Sequence, residues 1–187
     1  MTLLDMKKKT LGLIEELDPD SPQLTGDPDI SAKQNEVINQ VMFELARLKK
    51  IPRYIEMKVE TGEVLTFERL KKECGRDIYQ IGCISGVESI SRAEGTVHKV
   101  ITGGTAEIDV FVYPERITEE TVDSEYVFEL SNDALEIMPY GVAGDLLKSD
   151  ISAEYGKIYS DRFEQMIQRL DSRYQLPSVT IEGGIEI

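Results

Sequence analysis

The chain has 187 residues, 35 acidic against 21 basic side chains, a net charge of −14 and 41% hydrophobic content. That length suits one domain, or one with an inserted lobe, and so acidic a balance argues against a protein that reads nucleic-acid sequence, which needs a basic footprint. No apolar run approaches the roughly 20 residues that span a bilayer, and MTLLDMKKKTLGLIEEL carries its basic cluster after its apolar residues, unlike a secretory signal. The expectation is synthesis in the cytoplasm with no membrane partner.

In chain order, residues 2–17 place Leu3, Met6, Leu13, Ile14 and Leu17 at helical spacing. A helix this short is marginal alone and must dock on something, the more so because Gly12 weakens it by roughly 1 kcal/mol relative to alanine. DPDSPQLTGDPD (18–29) cannot continue it and predicts an exposed acidic loop. It lacks the ligand order of a calcium-binding loop. Ser31 and Gln34 have the spacing of a capping box at the entry to a second helix. That helix runs to about Lys50, with Val37, Ile38, Val41, Met42, Leu45 and Leu48 on one face. Arg47, Lys49 and Lys50 complement its C-terminal dipole, and Ile51-Pro52 stops it.

From Arg53 the period becomes two. Ile55, Met57 and Val59 alternate with charged residues, and Thr61-Gly62 leads into Val64–Phe67, as a hairpin or as two strands joined by a short turn. ERLKKECGRD reads as a helical turn or polar loop, and Ile78–Ile84 as strand. In TVHKVITGGTAEIDVFVYP, Ala106, Ile108, Val110 and Val112 alternate inward, and Gly103-Gly104 suits a two-residue primed turn. Four to six antiparallel strands are expected. Residues 114–130 are acidic, and their Glu115, Glu119, Glu120, Asp123 and Glu125 read as a solvated face rather than a catalytic carboxylate pair.

The last third returns to helix. Leu135, Met138, Val142, Leu146 and Leu147 share an apolar side, with Pro139 predicting a kink or a fresh helix start. Gly141, Ala143 and Gly144 leave a small-residue face where another backbone can approach. The chain turns near Ser149–Ser152, with Ser152 as N-cap, into a helix over 153–173. Its expected stripe is Tyr155, Ile158, Tyr159, Phe163, Met166, Ile167 and Leu170, with Lys157, Ser160, Asp161, Glu164, Gln165, Gln168 and Asp171 opposite. Leu146, Ile158, Phe163, Met166, Ile167 and Leu170 are the candidates for core or subunit packing. Beyond Pro177, the tail residues Val179, Ile181, Ile185 and Ile187 suit either a free end or a strand added to another protein's sheet.

The fold class expected is therefore α+β: a helical domain from 1–52 and 114–174, an inserted antiparallel β lobe over 53–113, and an extended tail over 175–187. Cys74 and Cys83 are the only cysteines and His98 the only histidine. Without CxxC spacing or a second histidine, zinc lacks its ligands. Cys83 and His98 are a formal nucleophile–base pair, although a strand cysteine is more commonly a small buried hydrophobe. No phosphate-cradling loop or other catalytic motif is present, so no cofactor, metal or enzymatic activity is expected.

MPYGVAGDLLKSD, followed by YGKIYSDR (Tyr155 to Arg162) on a long helix, resembles the C-terminal region of head–tail connector (adaptor) proteins of tailed bacteriophages. In the N-terminal half the similarity rests on the short helix, the acidic Pro-containing loop and a helix ending in ARLKKIPRY. The resemblance implies a virion protein, made in the bacterial host cytoplasm, that docks on the portal protein as a ring, commonly of twelve subunits. It further implies a DNA channel through which DNA passes without specific binding, a surface for the next neck or tail-completion protein, and a portal-binding tail at Val179, Ile181, Ile185 and Ile187. A stopper or tail-completion protein of the same neck is the first alternative, but such proteins are β-dominated. A β-lobe binding module of a tail is the second.

Overall fold

The computed structural model describes residues 1–92, 97–149 and 153–172. In order, its elements are α1 (Leu3–Leu13), α2 (Pro28–Leu48), β1 (Ile51–Val59), β2 (Val64–Thr66), α3 (Phe67–Cys74), β3 (Ile78–Ser85), β4 (Ser89–Arg92), β5 (Val97–Val100), β6 (Gly104–Val112), α4 (Asn132–Leu146), a short 3-10 turn (Leu147–Ser149) and α5 (Ala153–Ser172). The α+β class expected from the sequence is the one found.

Helix α1 starts at a capping box, in which the Thr2 hydroxyl accepts from the Asp5 N–H and the Asp5 carboxylate accepts from the Thr2 N–H. It ends at Leu13, so Leu17 lies beyond it and is exposed. Leu3, Met6 and Leu11 supply the docking face that a short helix requires. The second helix begins earlier than the Ser31/Gln34 pattern implies. Asp27 is its N-cap, accepting from the N–H groups of Asp29 and Ile30, and Pro28 occupies the first turn, where its missing N–H is not needed. Val37, Ile38, Val41, Met42 and Leu45 are buried as expected, whereas Leu48 is exposed at the helix end.

Each cation of ARLKK has its own partner, beyond any dipole effect. Lys49 pairs with Asp133 at 2.7 Å and joins α2 to α4, and its hydrogen bond holds the Asp133 carboxyl below its ordinary value. Lys50 lies over the Phe111 ring, and Arg47 donates to the Tyr113 hydroxyl.

The strands form two three-stranded antiparallel sheets, β1-β6-β3 and β2-β5-β4. The second repeats the first with the continuation of each strand, so the arrangement is one three-stranded ribbon, bent across all its strands. Thus β1 pairs with β6 along its full length, Gly62 N–H then donates to Val100, and pairing resumes between β2 and β5. Neither local hairpin suggested by the sequence forms. Gly103 does not supply a primed turn. It lies against the Thr61–Gly62 bend, where an added Cβ would sit 2.8 Å from Thr61 N and 3.0 Å from Val59 O. At the matching level of the third strand, Gly86 has φ +78° and a Cβ there would meet Thr105 O at 2.4 Å. Glycine is needed where the ribbon folds because backbones nearly touch. The inward alternation of Ala106, Ile108, Val110 and Val112 is realised, all four being fully buried. Helix α3 packs on β1, β2 and β3 through the buried Leu70 and so spans the bend.

His98 on β5 is 9% exposed, and neither ring nitrogen has a hydrogen-bond partner. It faces Leu65 on one neighbouring strand and Ser91 on the other. Burial holds its pKa below the ordinary 6.5, so the unfolded chain takes up a proton that the folded chain refuses. This stabilisation is complete above that ordinary value and is lost as pH falls below it toward the folded-state value. Thermal melts should therefore show a lower Tm at about pH 5.5 than at about pH 7.5, with His98→Leu flattening the difference. An unchanged slope in the variant would contradict this. Cys83 is exposed on β3, contrary to expectation, and stands in the other sheet from His98, with no hydrogen bond joining them.

The segment 113–131 ties the two helical parts together. Asn39, 2% exposed on α2, donates to the Ile117 carbonyl at 2.8 Å and accepts from its N–H at 2.9 Å. Tyr126 donates to the Glu115 carbonyl, and its burial pushes its own pKa up to about 12. Leu3 N–H donates to Tyr126, and Lys7 pairs with Asp123 at 2.8 Å. Of the acids singled out here, Asp123 is thus structural, while Glu119, Glu120 and Glu125 are exposed.

Candidate interaction surfaces

Helix α4 packs against α1, α2 and α5. Pro139 lies inside it, so the element is a single helix rather than two, and neighbours on three sides offset the hydrogen bond that proline removes. The small-residue face expected at Gly141, Ala143 and Gly144 receives α5. A Cβ on Gly141 would sit 2.9 Å from the Phe163 ring. One on Gly144 would lie 3.0 Å from Ser160 N and 3.3 Å from Gly156 O. Gly156 answers from α5, against Leu147 and the Gly144 carbonyl. The hairpin is therefore a backbone-to-backbone seam, and Ser160 belongs to its inside rather than to the polar face.

That seam decides which α5 residues are covered. Gly156, Ser160, Phe163, Ile167 and Leu170 recur at three- and four-residue steps, which is one helix face. Phe163 and Leu170 are 7% and 5% exposed, Leu146 on α4 is 4% exposed, and Met166 and Ile167 are half-buried against the core. Ile158 is not in this group. Five residues separate it from Phe163, well over a turn at 3.6 residues per turn, and it is 63% exposed. Tyr155, one turn away, is 66% exposed. Tyr159 lies between the two environments, its hydroxyl donating to the Leu13 carbonyl.

Beside Tyr155 a cleft of about 440 Å³ runs between the end of α1 and the start of α5. It is lined by Leu13, Ile14, Glu15, Glu16, Ile30, Leu147 and Tyr159. Tyr155 and Ile158 thus form an exposed apolar pair on α5, beside a cleft of mixed polar and apolar lining.

A second concave surface lies at the far end of α2. A groove of about 740 Å³ has Phe43 and Tyr113 among its walls and draws Arg47, Lys71, Arg76 and Arg116 from four segments, with Asp77 and Glu115. Arg76 contacts Glu129 at 3.0 Å and Glu115 at 3.8 Å, Arg116 contacts Glu36 at 2.6 Å, and Lys71 pairs with Asp77. Arg47 donates Nε to the Tyr113 hydroxyl at 2.8 Å, with its guanidinium 5.4 Å from that ring's centre. Sequence reading did not find this groove, because its cations are spread from position 47 to 116 and share no motif.

The tail residues Val179, Ile181, Ile185 and Ile187, the Ser152 cap and the extended tail over 175–187 lie outside the described residues. Among the described residues, no group of three or more His, Cys, Asp or Glu side chains can hold a metal ion, and no helix is long and apolar enough to cross a membrane. No protein-family model and no curated protein matches the chain.

Proposed function

We propose that the chain is a subunit of a tailed-phage head–tail connector. It docks on the portal protein as a ring, extends the DNA channel and offers a surface to the next neck or tail-completion protein. Such a protein works in the virion by shape and contact. The observation that carries the reading is the exposed Tyr155 and Ile158 on the outward face of α5. They lie within the stretch whose sequence resembles connectors, on a helix whose inner face is already filled. Neighbouring subunits in a closed ring need such a face, and an uncovered apolar pair beside the cleft between α1 and α5 supplies it. The net charge of −14 suits a passage to which DNA does not adhere. The tail beyond Pro177 would reach the portal as an added strand, through main-chain hydrogen bonds.

The test is Ile158→Asp. Because Ile158 is outside the core, the substitution should change stability by no more than about 0.5 kcal/mol while abolishing assembly on portal rings. Equal melting with lost assembly is the expected pair of results. Assembly unchanged by Ile158→Asp, or by Tyr155→Ser together with it, would remove the support this surface gives.

A further inference from the structure

The two ends of α2 carry opposite charge. At its N-terminal end, residues 15–29 hold Glu15, Glu16, Asp18, Asp20, Asp27 and Asp29 and no basic side chain. This segment is internally bonded. Asp18 N–H donates to Leu24 O at 2.7 Å, Leu24 N–H to Ser21 O at 3.0 Å, and the Ser21 hydroxyl to Thr25 O at 2.9 Å, with Thr25 only 3% exposed. Its acids, apart from the N-cap Asp27, are exposed. At the C-terminal end lies the groove of Arg47, Lys71, Arg76 and Arg116. Arg47 lies 18 residues beyond Asp29 on α2, roughly 27 Å at about 1.5 Å per residue, while Arg116 stands nearer, against Glu36 of the same helix.

We propose that the basic groove of one copy receives the acidic 15–29 segment of the next, so that subunits join head to tail through charge as well as through α5. This rests on the ring reading above and names its second contact. A heterologous contact that repeats into a ring requires two different, mutually complementary patches set apart on one subunit. A segment with six acids and no base meets that requirement with a groove lined by four cations and two acids, two of whose cations, Arg76 and Arg116, also meet Glu129 and Glu36. Copies with a net charge of −14 repel one another at long range, so their contact must place opposite charges locally.

The groove also has capacity to spare. Arg47 makes no close ion pair among the described residues, although its charge acts on the Glu44 carboxylate, and it is held on the Tyr113 ring. Arg76 divides its contacts between two carboxylates, the second at 3.8 Å. Exposed pairs such as Arg116–Glu36 are worth little, so their partners exchange readily.

A charge-swap experiment on the full chain tests this, read by sedimentation at about 20 mM and about 500 mM salt, either side of strong screening. The groove variant is Arg47→Glu with Arg116→Glu; the segment variant is Asp18→Lys with Asp20→Lys, which leaves the cleft beside Tyr155 untouched. The parent should associate at low salt and weaken at high salt. Each variant alone should associate more weakly than the parent with a near-parent Tm, and an equimolar mixture should recover one-to-one pairing, because the groove variant keeps the parent's acidic segment and the segment variant keeps the parent's groove. If a reversed variant melts early, Arg47→Gln with Arg116→Gln takes its place and should weaken association at least about tenfold. Association of either variant equal to the parent's, or no recovery on mixing, overturns the proposal. If Ile158→Asp abolishes association while both charge variants behave as the parent does, the ring reading survives and only this contact is wrong. A parent that remains monomeric at low salt overturns this contact, and if it also fails to assemble on portal rings the ring reading falls with it.

Discussion

Phe163→Asp is expected to unfold the chain or come close to it. Phe163 is 7% exposed, and its ring fills the space over Gly141, where even a Cβ would be 2.9 Å away. Truncating such a phenylalanine costs about 3–5 kcal/mol through lost transfer energy and the cavity left behind. The aspartate adds a charge with no cationic partner at that seam, which costs further. Against a total stability of about 5–15 kcal/mol, this is most of the margin. Circular dichroism melts should show Tm lower by at least about 10 °C, at about 2–4 °C per kcal/mol for a chain of this size. Phe163→Leu should keep the fold with a smaller loss. A Phe163→Asp protein that melts like the parent would show that the α4–α5 seam is not part of the core.

Asn39→Ala is the second large effect. The side chain closes a two-bond clamp on the backbone of Ile117, itself 2% exposed. Removing it leaves a buried N–H and a buried C=O without partners, at about 1–3 kcal/mol each. A loss of about 2–5 kcal/mol follows, and it should be non-local. The clamp holds the start of the segment that later meets α1 through Tyr126 and Asp123. Amide hydrogen exchange should therefore speed up in α1 and 113–128 before it does in β1 and β6. Uniform acceleration across the sheet, or a loss below about 1 kcal/mol, would show that the clamp does not hold this segment.

What the sequence disclosed tracks what is local. The period of the buried α2 residues, the alternation of β6 and the small residues of α4 all depend on neighbours within a few positions, and each lies where the pattern put it. Pairing across the ribbon was not legible. Nothing near Gly62 or Gly103 distinguishes a hairpin turn from a bend at which two backbones meet, and that difference rests on residues about forty positions away. Ile158 was misplaced for a different reason. Seven apolar residues on one helix invite a single stripe, yet the step from Ile158 to Phe163 does not return to the same face. The structure splits them, and the residue left outside becomes the most informative one on the surface. The basic groove had no sequence signal, since its four cations meet only after the sheet and α2 are assembled.

The connector reading rests on the chain forming a ring against a portal. The most direct measurement is negative-stain class averaging of the full-length chain mixed with portal rings from the same virion. The account predicts an added annular layer on one face of the portal, centred on its axis and with an open channel. Portal rings that remain bare at saturating protein, or bind single copies without closing a layer, would contradict it.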